Sequence, residues 1–187
     1  MPLSPMMKQY FEIKKLHPDC ILMFRLGDFY EMFFDDAKLV SKELELVLTG
    51  RDCGTEERAP MCGIPYHAVE NYLSRLIAKG YRVAICEQME DPTTAKGLVK
   101  RDVVRVVSPG TVIESTCLDE SKNNFICSLY YDGFGYGVVF ADVSTGELHV
   151  TELENAEDNE PLYSEAAAFN PSELVFNKAV PEEVRSS

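Results

Sequence analysis

Two side chains near the amino terminus, Phe29 and Glu31, are of types and spacing that suggest a chemistry. In an extended segment, residues two apart project from the same face, while the residue between them, Tyr30, points to the other. A phenylalanine can wedge between base pairs and stack on them, and a neighbouring carboxylate can hydrogen-bond to a base edge. The pair therefore predicts a reader of nucleic-acid bases.

A second interpretation places Phe29 in the protein core together with Phe24, Phe33 and Phe34, and leaves Glu31 as a solvated neighbour. Because phenylalanine side chains are usually buried, spacing alone favours this interpretation. The two interpretations differ in one observable, which is the exposure of the Phe29 ring.

The net charge of the chain and its distribution bear on whether Phe29 and Glu31 could contact nucleic acid. The 187-residue chain has a net charge of −13, which argues against DNA, because sequence-independent affinity comes from Lys and Arg facing phosphates. The excess acid lies late in the chain: residues 1–115 carry 15 basic against 17 acidic side chains, and residues 116–187 carry 3 against 14. This distribution predicts a near-neutral first unit and an acidic second unit with different tasks.

One strip of the first part is basic. The segment KGLVKRDVVR contains Lys96, Lys100, Arg101 and Arg105 and a single acid, a composition suited to contacts with DNA phosphates. The alternative for any single lysine is a solvated strand edge, since exposed lysine is the norm.

The sequence indicates no metal centre and no nucleophile. The six cysteines include no C-x-x-C pair, so we expect reduced and mostly packed thiols; the spacing of Cys53, Cys62, His67 and Cys86 fits no zinc pattern. The three histidines have no Ser or Cys partner in a recognisable signature. No G-x-x-x-x-G-K-[ST] phosphate loop occurs in these residues, so we expect this chain neither to bind nor to hydrolyse ATP.

Asp142 leaves one enzymatic alternative open. With Glu147 it flanks an STG turn, and an acid at the end of a strand can hold the metal ion of a nuclease. A lone Asp before a turn is more often an Asx cap of that turn, so the cap is the favoured interpretation.

The elements that must position these residues alternate between helix and strand over the first 115 residues. Ser4-Pro5 is a helix start, and the runs CILMFRL from Cys20 and FYEMF from Phe29 have strand length. The other expected elements are an amphipathic helix from Asp35 with Ala37, Val40, Leu44 and Val47 on one face, a short strand VLTG, a polar connection and turn over residues 50–65, a helix from about Tyr66 to Gly80, and strands YRVAICEQ and VKRDVVRVV. This pattern predicts an α/β fold, a mixed β-sheet with flanking helices.

Beyond about Leu118 the pattern changes. The runs FICSLYY, YGVVFADV and ELHVTEL predict three strands joined by DGFG and STG turns, which is an antiparallel meander. A helix over PLYSEAAAF and a short strand over SELVF follow. These few elements make a small core, so we expect the chain to cover only part of its second domain.

Four segments resemble one protein family, and they stand in that family's order. They are LGDFYEMFFDDA from Leu26, PMCGIPYHAVENYL from Pro60, AICEQMEDP from Ala84 and VRVVSPGT from Val104. Together they span most of residues 5–115, and this part closely resembles the amino-terminal domain of the MutS family of DNA mismatch-recognition proteins. The later segment FGYGVVFADVSTGEL is similar to the start of that family's connector domain, so the resemblance implies a partial RNase-H-like domain there.

The resemblance implies a role for the aromatic residue Phe29. The family's Phe-x-Glu motif falls on Phe29, Tyr30 and Glu31, and its phenylalanine enters the minor groove at a mispair and stacks on one base while the DNA kinks. Unstacking takes a few kcal/mol at a paired step and less at a mismatched one. The function implied is recognition of mispaired double-stranded DNA through local deformability rather than sequence.

The resemblance also implies roles for the charged residues. A carboxylate pushed toward phosphates is repelled and desolvated, so Glu31 is expected to penalise binding to an intact duplex. At a mispair we expect Glu31 to hydrogen-bond, either protonated to a purine ring nitrogen or as a carboxylate to a thymine imino group. The family match places Arg51 and Arg101 near the DNA backbone, and the further candidates are Lys96, Lys100 and Arg105.

Boundaries and context follow from the same resemblance. It implies a mismatch-recognition domain over residues 1–115, a linker over 116–124 and part of a connector domain over 125–187. The longer family proteins use ATP and magnesium, form homodimers, work with a MutL-type partner and act in the bacterial cytoplasm at the nucleoid; for this chain we expect no cofactor, no metal and no membrane. A nuclease using Asp142 and a protein-docking module without DNA contact remain as alternatives.

Overall fold

The computed structural model describes residues 3–54, 57–93, 95, 97–119, 121–154 and 159–186. The chain forms two compact units, Met1–Ser108 and Pro109–Ser187. Within the described ranges, no helix is long and apolar enough to cross a bilayer.

The first unit is built on one six-stranded sheet. Its elements, in chain order, are α1 (Pro5–Leu16), β1 (Ile21–Leu26), β2 (Phe29–Phe33), α2 (Phe34–Leu44), β3 (Thr49–Arg51), β4 (Ala59–Pro65), α3 (Val69–Ile77), β5 (Val83–Gln88) and β6 (Arg101–Val107). The strand order is β3-β4-β2-β1-β5-β6, with β1 and β5 parallel and the other neighbours antiparallel. The mixed α/β fold predicted from the sequence is confirmed.

The sheet is covered by helices on both faces, as the continuous apolar run of β1 predicts. Helix α1 starts at the expected place, where the Ser4 hydroxyl accepts from the Met7 N–H at 3.3 Å and Pro5 occupies the first turn. It packs on the face that contains Leu22 and Phe24. Helices α2 and α3 contact β2, β4 and β5, where the intervening side chains of the strands are buried.

Two local expectations for this unit are wrong. Residues 59–65 form β4 and not a turn, because β2 and β3 both offer it pairing partners and a complete ladder outweighs the turn preference of its prolines and glycine. Helix α2 ends at Leu44, so Val47 does not continue its apolar face, because Glu45 takes a left-handed conformation at φ +58° and stops the helical hydrogen bonding.

The second unit is a four-stranded sheet of order β10-β7-β8-β9. Its elements are β7 (Phe125–Tyr131), β8 (Gly135–Asp142), β9 (Glu147–Glu154), α4 (Glu160–Phe169), β10 (Glu173–Phe176) and α5 (Glu182–Arg185). Strands β7, β8 and β9 form the predicted antiparallel meander, and β10 pairs in parallel with β7. This arrangement agrees with the predicted fold class, and the short helix α5 was not expected.

Candidate nucleic-acid interface

Phe29 follows a tight turn between two strands. Strands β1 and β2 pair antiparallel with Leu26 opposite Phe29, so that Gly27 and Asp28 alone connect them. Gly27 adopts φ +60°, a left-handed conformation that glycine takes without steric cost. The turn therefore places Phe29 at the very end of its strand, at one end of the sheet.

The Phe29 ring lies at the surface. It is 47% exposed, whereas Phe24 and Phe33 are fully buried. The interpretation that placed Phe29 in the core is therefore wrong. A ring in this position can pack against a bound molecule without any change in the protein core.

Neighbouring side chains on β2 alternate as predicted. Tyr30 is 4% exposed and points away from Phe29, and Glu31 is half-buried on the same face as Phe29. The Tyr30 hydroxyl donates to the Glu87 carboxylate. Burial and then the negative charge of Glu87 raise the pKa of Tyr30 to about 12. The residue between the two candidates is thus a neutral anchor in the sheet.

A cationic side chain packs beside this anchor. The guanidinium of Arg25 lies 3.8 Å from the centroid of the Tyr66 ring, and its Nη1 lies 3.5 Å from Glu87 Oε2. The backbone N–H of Tyr66 donates to the carbonyl of Asp28 at 2.9 Å. Sequence reasoning missed this cluster, which ties the β1–β2 turn to Tyr66 and to Glu87 of β5.

A shallow cleft adjoins Phe29. It is lined by Phe29 and Glu31 and by Leu46, Val47 and Met61. Val47 is 79% exposed, although the helical spacing predicted it on a buried face. The connection from α2 to β3 therefore adds apolar surface next to Phe29, and no turn residue in the sequence signals that the helix ends before it.

Glu31 forms an ion pair with Arg51. Nη1 of Arg51 donates to Oε2 of Glu31, and their side chains are 38% and 14% exposed respectively. Arg51 is the last residue of β3, whereas the sequence predicted it in the connection after the strand; it lies on the same face of the sheet as Glu31. The sequence offered both residues as candidates but gave no sign that they contact each other.

Arg101 differs from its expected place at the DNA backbone. It is buried: Nε donates to the Arg25 carbonyl at 2.7 Å, and Nη1 donates to the Val99 carbonyl at 2.9 Å and to Gln9 Oε1 at 3.1 Å. Its guanidinium carbon lies 5.1 Å from the centroid of the Phe24 ring. Burial lowers the pKa of Arg101 from its ordinary value. Since Nε and Nη1 donate inside the protein, the structure favours a structural role for Arg101 over its expected contact with the DNA backbone.

The other cations of the basic strip lie at different heights on β6. Lys100 is exposed directly before the strand, and the register places this end of β6 at the same end of the sheet as Phe29. Arg105 is partly buried and lies four residues further along the strand. Lys96 lies outside the described residues.

The remaining candidates show no metal centre. Among the described residues, no group of three or more His, Cys, Asp or Glu side chains could hold a metal ion. Five of the six cysteines are buried and Cys117 is partly buried, as expected for packed thiols.

Asp142 caps its turn, as the favoured interpretation predicted. Its Oδ1 accepts from the Ser144 N–H at 2.8 Å, the Ser144 hydroxyl at 2.6 Å and the Thr145 N–H at 3.2 Å. Its Oδ2 accepts from the Asn124 N–H at 3.0 Å. Both oxygens of this buried carboxylate are committed to backbone and side-chain donors, which disfavours a role as the metal ligand of a nuclease.

Comparison with known proteins identifies related chains for both units. A family model described as MutS domain I matches residues 4–116, and one described as MutS domain II matches residues 124–186.

Several curated relatives bear the name DNA mismatch repair protein MutS. One from Ruminiclostridium cellulolyticum is 58% identical over 175 residues, covering 94% of this chain and 20% of that relative. One from Clostridium tetani is 55% identical over 184 residues, covering 98% of this chain and 21% of that relative. The chain thus spans about a fifth of the length of the curated relatives it matches. Because the domain I match alone includes more than half of these residues, the chain belongs to the MutS family.

Proposed function

We propose that this chain recognises mispaired sites in double-stranded DNA, with Phe29 as the wedge. The observation that carries the proposal is the exposed ring of Phe29, the first residue of β2. A two-residue turn before it and the buried Tyr30 after it hold its backbone in place. A side chain already ordered in the unbound protein loses little conformational entropy on insertion. Unstacking costs less where pairing has failed, so such a wedge selects mispairs by deformability.

Glu31 supplies the second part of the selection. It lines the same cleft as Phe29, so a base that stacks on the ring comes within reach of the carboxylate. A protonated Glu31 would donate to a purine ring nitrogen, and an ionised one would accept from a thymine imino group. On an intact duplex the thymine imino group is engaged in its base pair and the bases stay stacked, so the carboxylate meets phosphates, which repel it.

Contacts with the phosphates would come from the cations near Phe29. Arg51 beside the cleft and Lys100 at the same end of the sheet are the strongest candidates, with Arg105 and Lys96 as further ones. Such contacts position the protein without reading sequence. They would offset the unfavourable net charge of −13, most of which lies in the second unit.

The test compares two exposed phenylalanines. We expect Phe29→Ala to abolish the preference for a duplex with one mispair over the matched duplex, because the wedge is lost. Phe134→Ala is the control, since Phe134 is 87% exposed but belongs to the second unit. Both variants are titrated with both duplexes by NMR, which quantifies weak binding. An unchanged preference in Phe29→Ala would refute the proposal.

We infer that the chain acts as the first part of a longer MutS-type protein, since its relatives are about five times as long. In that protein, residues 1–115 would be the recognition domain, 116–124 a linker and 125–187 part of the connector domain. ATP and magnesium would serve the longer protein and not this chain. Its partners would be a second copy and a MutL-type protein, and its location the bacterial cytoplasm at the nucleoid. The exposed Leu148 and Val150 on β9 are suited to protein contacts.

A further inference from the structure

The ion pair between Glu31 and Arg51 joins the proposed base reader to a proposed phosphate contact. We propose that Arg51 is a conditional phosphate ligand: it neutralises Glu31 in the unbound protein and transfers to a phosphate only when Glu31 engages a mispaired base. This inference rests on the proposed function and assigns to it a residue that sets specificity.

The pair bridges two strands that are not neighbours. Glu31 belongs to β2 and Arg51 to β3, and β4 runs between them. Adjacent strands lie about 4.8 Å apart, so the two backbones are separated by roughly 10 Å. The residue of β4 opposite Glu31 is Gly63, where a Cβ would lie 3.6 Å from Glu31 Cγ. Arg51 lies opposite Ala59, four residues along β4 from Gly63, so the two long side chains meet by extending over β4.

The two partners differ in their freedom to move. Glu31 is the more buried partner, at 14% exposure, and lines the cleft beside Phe29. Arg51 is 38% exposed and stands at the end of a three-residue strand, so its guanidinium can turn toward solvent. Solvent reaches the Arg51 end of the pair and screens it, and a phosphate binds a guanidinium through comparable charge-assisted hydrogen bonds. A phosphate can therefore compete with Glu31 for Arg51.

The outcome of this competition depends on the duplex. On a matched duplex, transfer of Arg51 to a phosphate would leave the Glu31 carboxylate unpaired among phosphates, so Arg51 stays on Glu31. On a mispair, Glu31 gains a hydrogen-bond partner on the exposed base, and Arg51 is released. Mispaired DNA thus gains one phosphate contact that matched DNA does not, and discrimination exceeds what the base contact alone supplies.

The test uses Glu31→Gln, which removes the charge that holds Arg51. We expect this variant to bind matched duplex about five- to tenfold more tightly, because Arg51 becomes available to a phosphate. The slope of log affinity against log salt should steepen by about one, as expected for one added phosphate contact. Binding is measured by NMR titration at several salt concentrations, and the amide spectrum reports whether each variant is folded.

The decisive comparison is whether this gain requires Arg51. The effect of Glu31→Gln on matched-duplex affinity is measured in three backgrounds: the natural chain, Arg51→Gln and Lys100→Gln. We expect the gain to disappear with Arg51→Gln and to persist with Lys100→Gln, which removes a positive charge beside β6, three strands away from Glu31. A gain that persists in Arg51→Gln would show that Glu31→Gln only relieves repulsion between the carboxylate and the phosphates, and this would overturn the proposal. The absence of any gain in the natural chain would also overturn it.

Failure of the proposed function gives a different result. In that case the natural chain and Phe29→Ala would bind mispaired and matched duplexes alike. If the natural chain prefers mispairs but the gain from Glu31→Gln does not depend on Arg51, the proposed role of Phe29 is supported and the conditional phosphate contact of Arg51 is refuted.

Discussion

At the scale of single residues, the proposed interface depends on opposite environments for three consecutive side chains. Tyr30 is buried and bonded to Glu87, while Phe29 and Glu31 face the cleft. A buried residue between two functional ones fixes the backbone torsions of both, because its ring cannot leave the sheet without losing its packing. An ordered backbone in the unbound protein would let Phe29 act as the proposed wedge at low entropic cost.

A residue-scale prediction concerns the Asp142 turn. We expect Asp142→Ala to lower the free energy of unfolding of the second unit by about 2–3 kcal/mol, because two backbone N–H groups of the turn and that of Asn124 lose their acceptor. Thermal denaturation and hydrogen exchange of the Ser144 and Thr145 amides measure the loss. Unchanged protection of these amides would contradict the assigned capping role.

The same carboxylate predicts a pH dependence. Burial acts to raise the pKa of Asp142, but hydrogen bonds from Ser144, Asn124 and Thr145 together outweigh it and hold the pKa below its ordinary value of 3.8. A lowered pKa in the folded state stabilises the fold above the ordinary value, and this stabilisation is lost as pH falls through the folded pKa. We expect melting temperatures of the natural chain to fall below pH 3.8 more steeply than those of Asp142→Asn. Parallel curves would contradict the assignment.

At the scale of elements, the end of α2 determines the surface beside Phe29. The helix ends at Leu44 because Glu45 is left-handed, and the chain then presents Val47 to the cleft. A non-glycine residue pays about 1–2 kcal/mol for this conformation. The strained end of α2 thus fixes the position of the connection from α2 to β3 beside the cleft.

This strain can be measured. We expect Glu45→Gly to raise the free energy of unfolding by about 0.5–1 kcal/mol, since glycine adopts φ +58° without strain but loses more entropy on folding. Glu45→Ala should give no gain, because alanine meets the same steric conflict as glutamate. Urea denaturation midpoints of the two variants provide the comparison, and equal midpoints would exclude the strain.

At the scale of the whole molecule, each unit has its own core and its own charge. The packed core of each unit contains cysteines, among them Cys86 in the first and Cys127 in the second. Burial raises the pKa of Cys86 to about 12 and that of Cys127 to about 11. Their thiols therefore stay protonated and shielded at neutral pH while the units are folded.

Thiol labelling tests both cores at once. We expect the folded chain to take up one alkyl group from iodoacetamide at pH 8, at the partly buried Cys117, and all six thiols to react in denaturant, because only a thiolate in contact with solvent is nucleophilic. Intact-protein and peptide mass spectrometry count and locate the groups. Rapid labelling of Cys86 or Cys127 under native conditions would show that the corresponding core opens.

Sequence by itself determined the fold class, most elements and the family. Periodicity predicts α1, β1 and β2 because capping residues and apolar runs act over a few neighbouring residues. Alternation along an extended segment likewise determined that Phe29 and Glu31 share a face. The MutS-like segment LGDFYEMFFDDA identified Phe29 and Glu31 as candidates, since a sequence motif can be recognised without knowledge of the structure around it.

Tertiary structure alone decided what each candidate contacts. The spacing could not say whether Phe29 was buried, because exposure depends on which helix covers that end of the sheet. Arg51 and Arg101 looked alike as cations, yet one pairs with Glu31 at the cleft and the other turns inward over Phe24. The physical reason is that these contacts join residues distant along the chain across the ladders of the sheet, so strand order and register, which local sequence preferences do not specify, determine them.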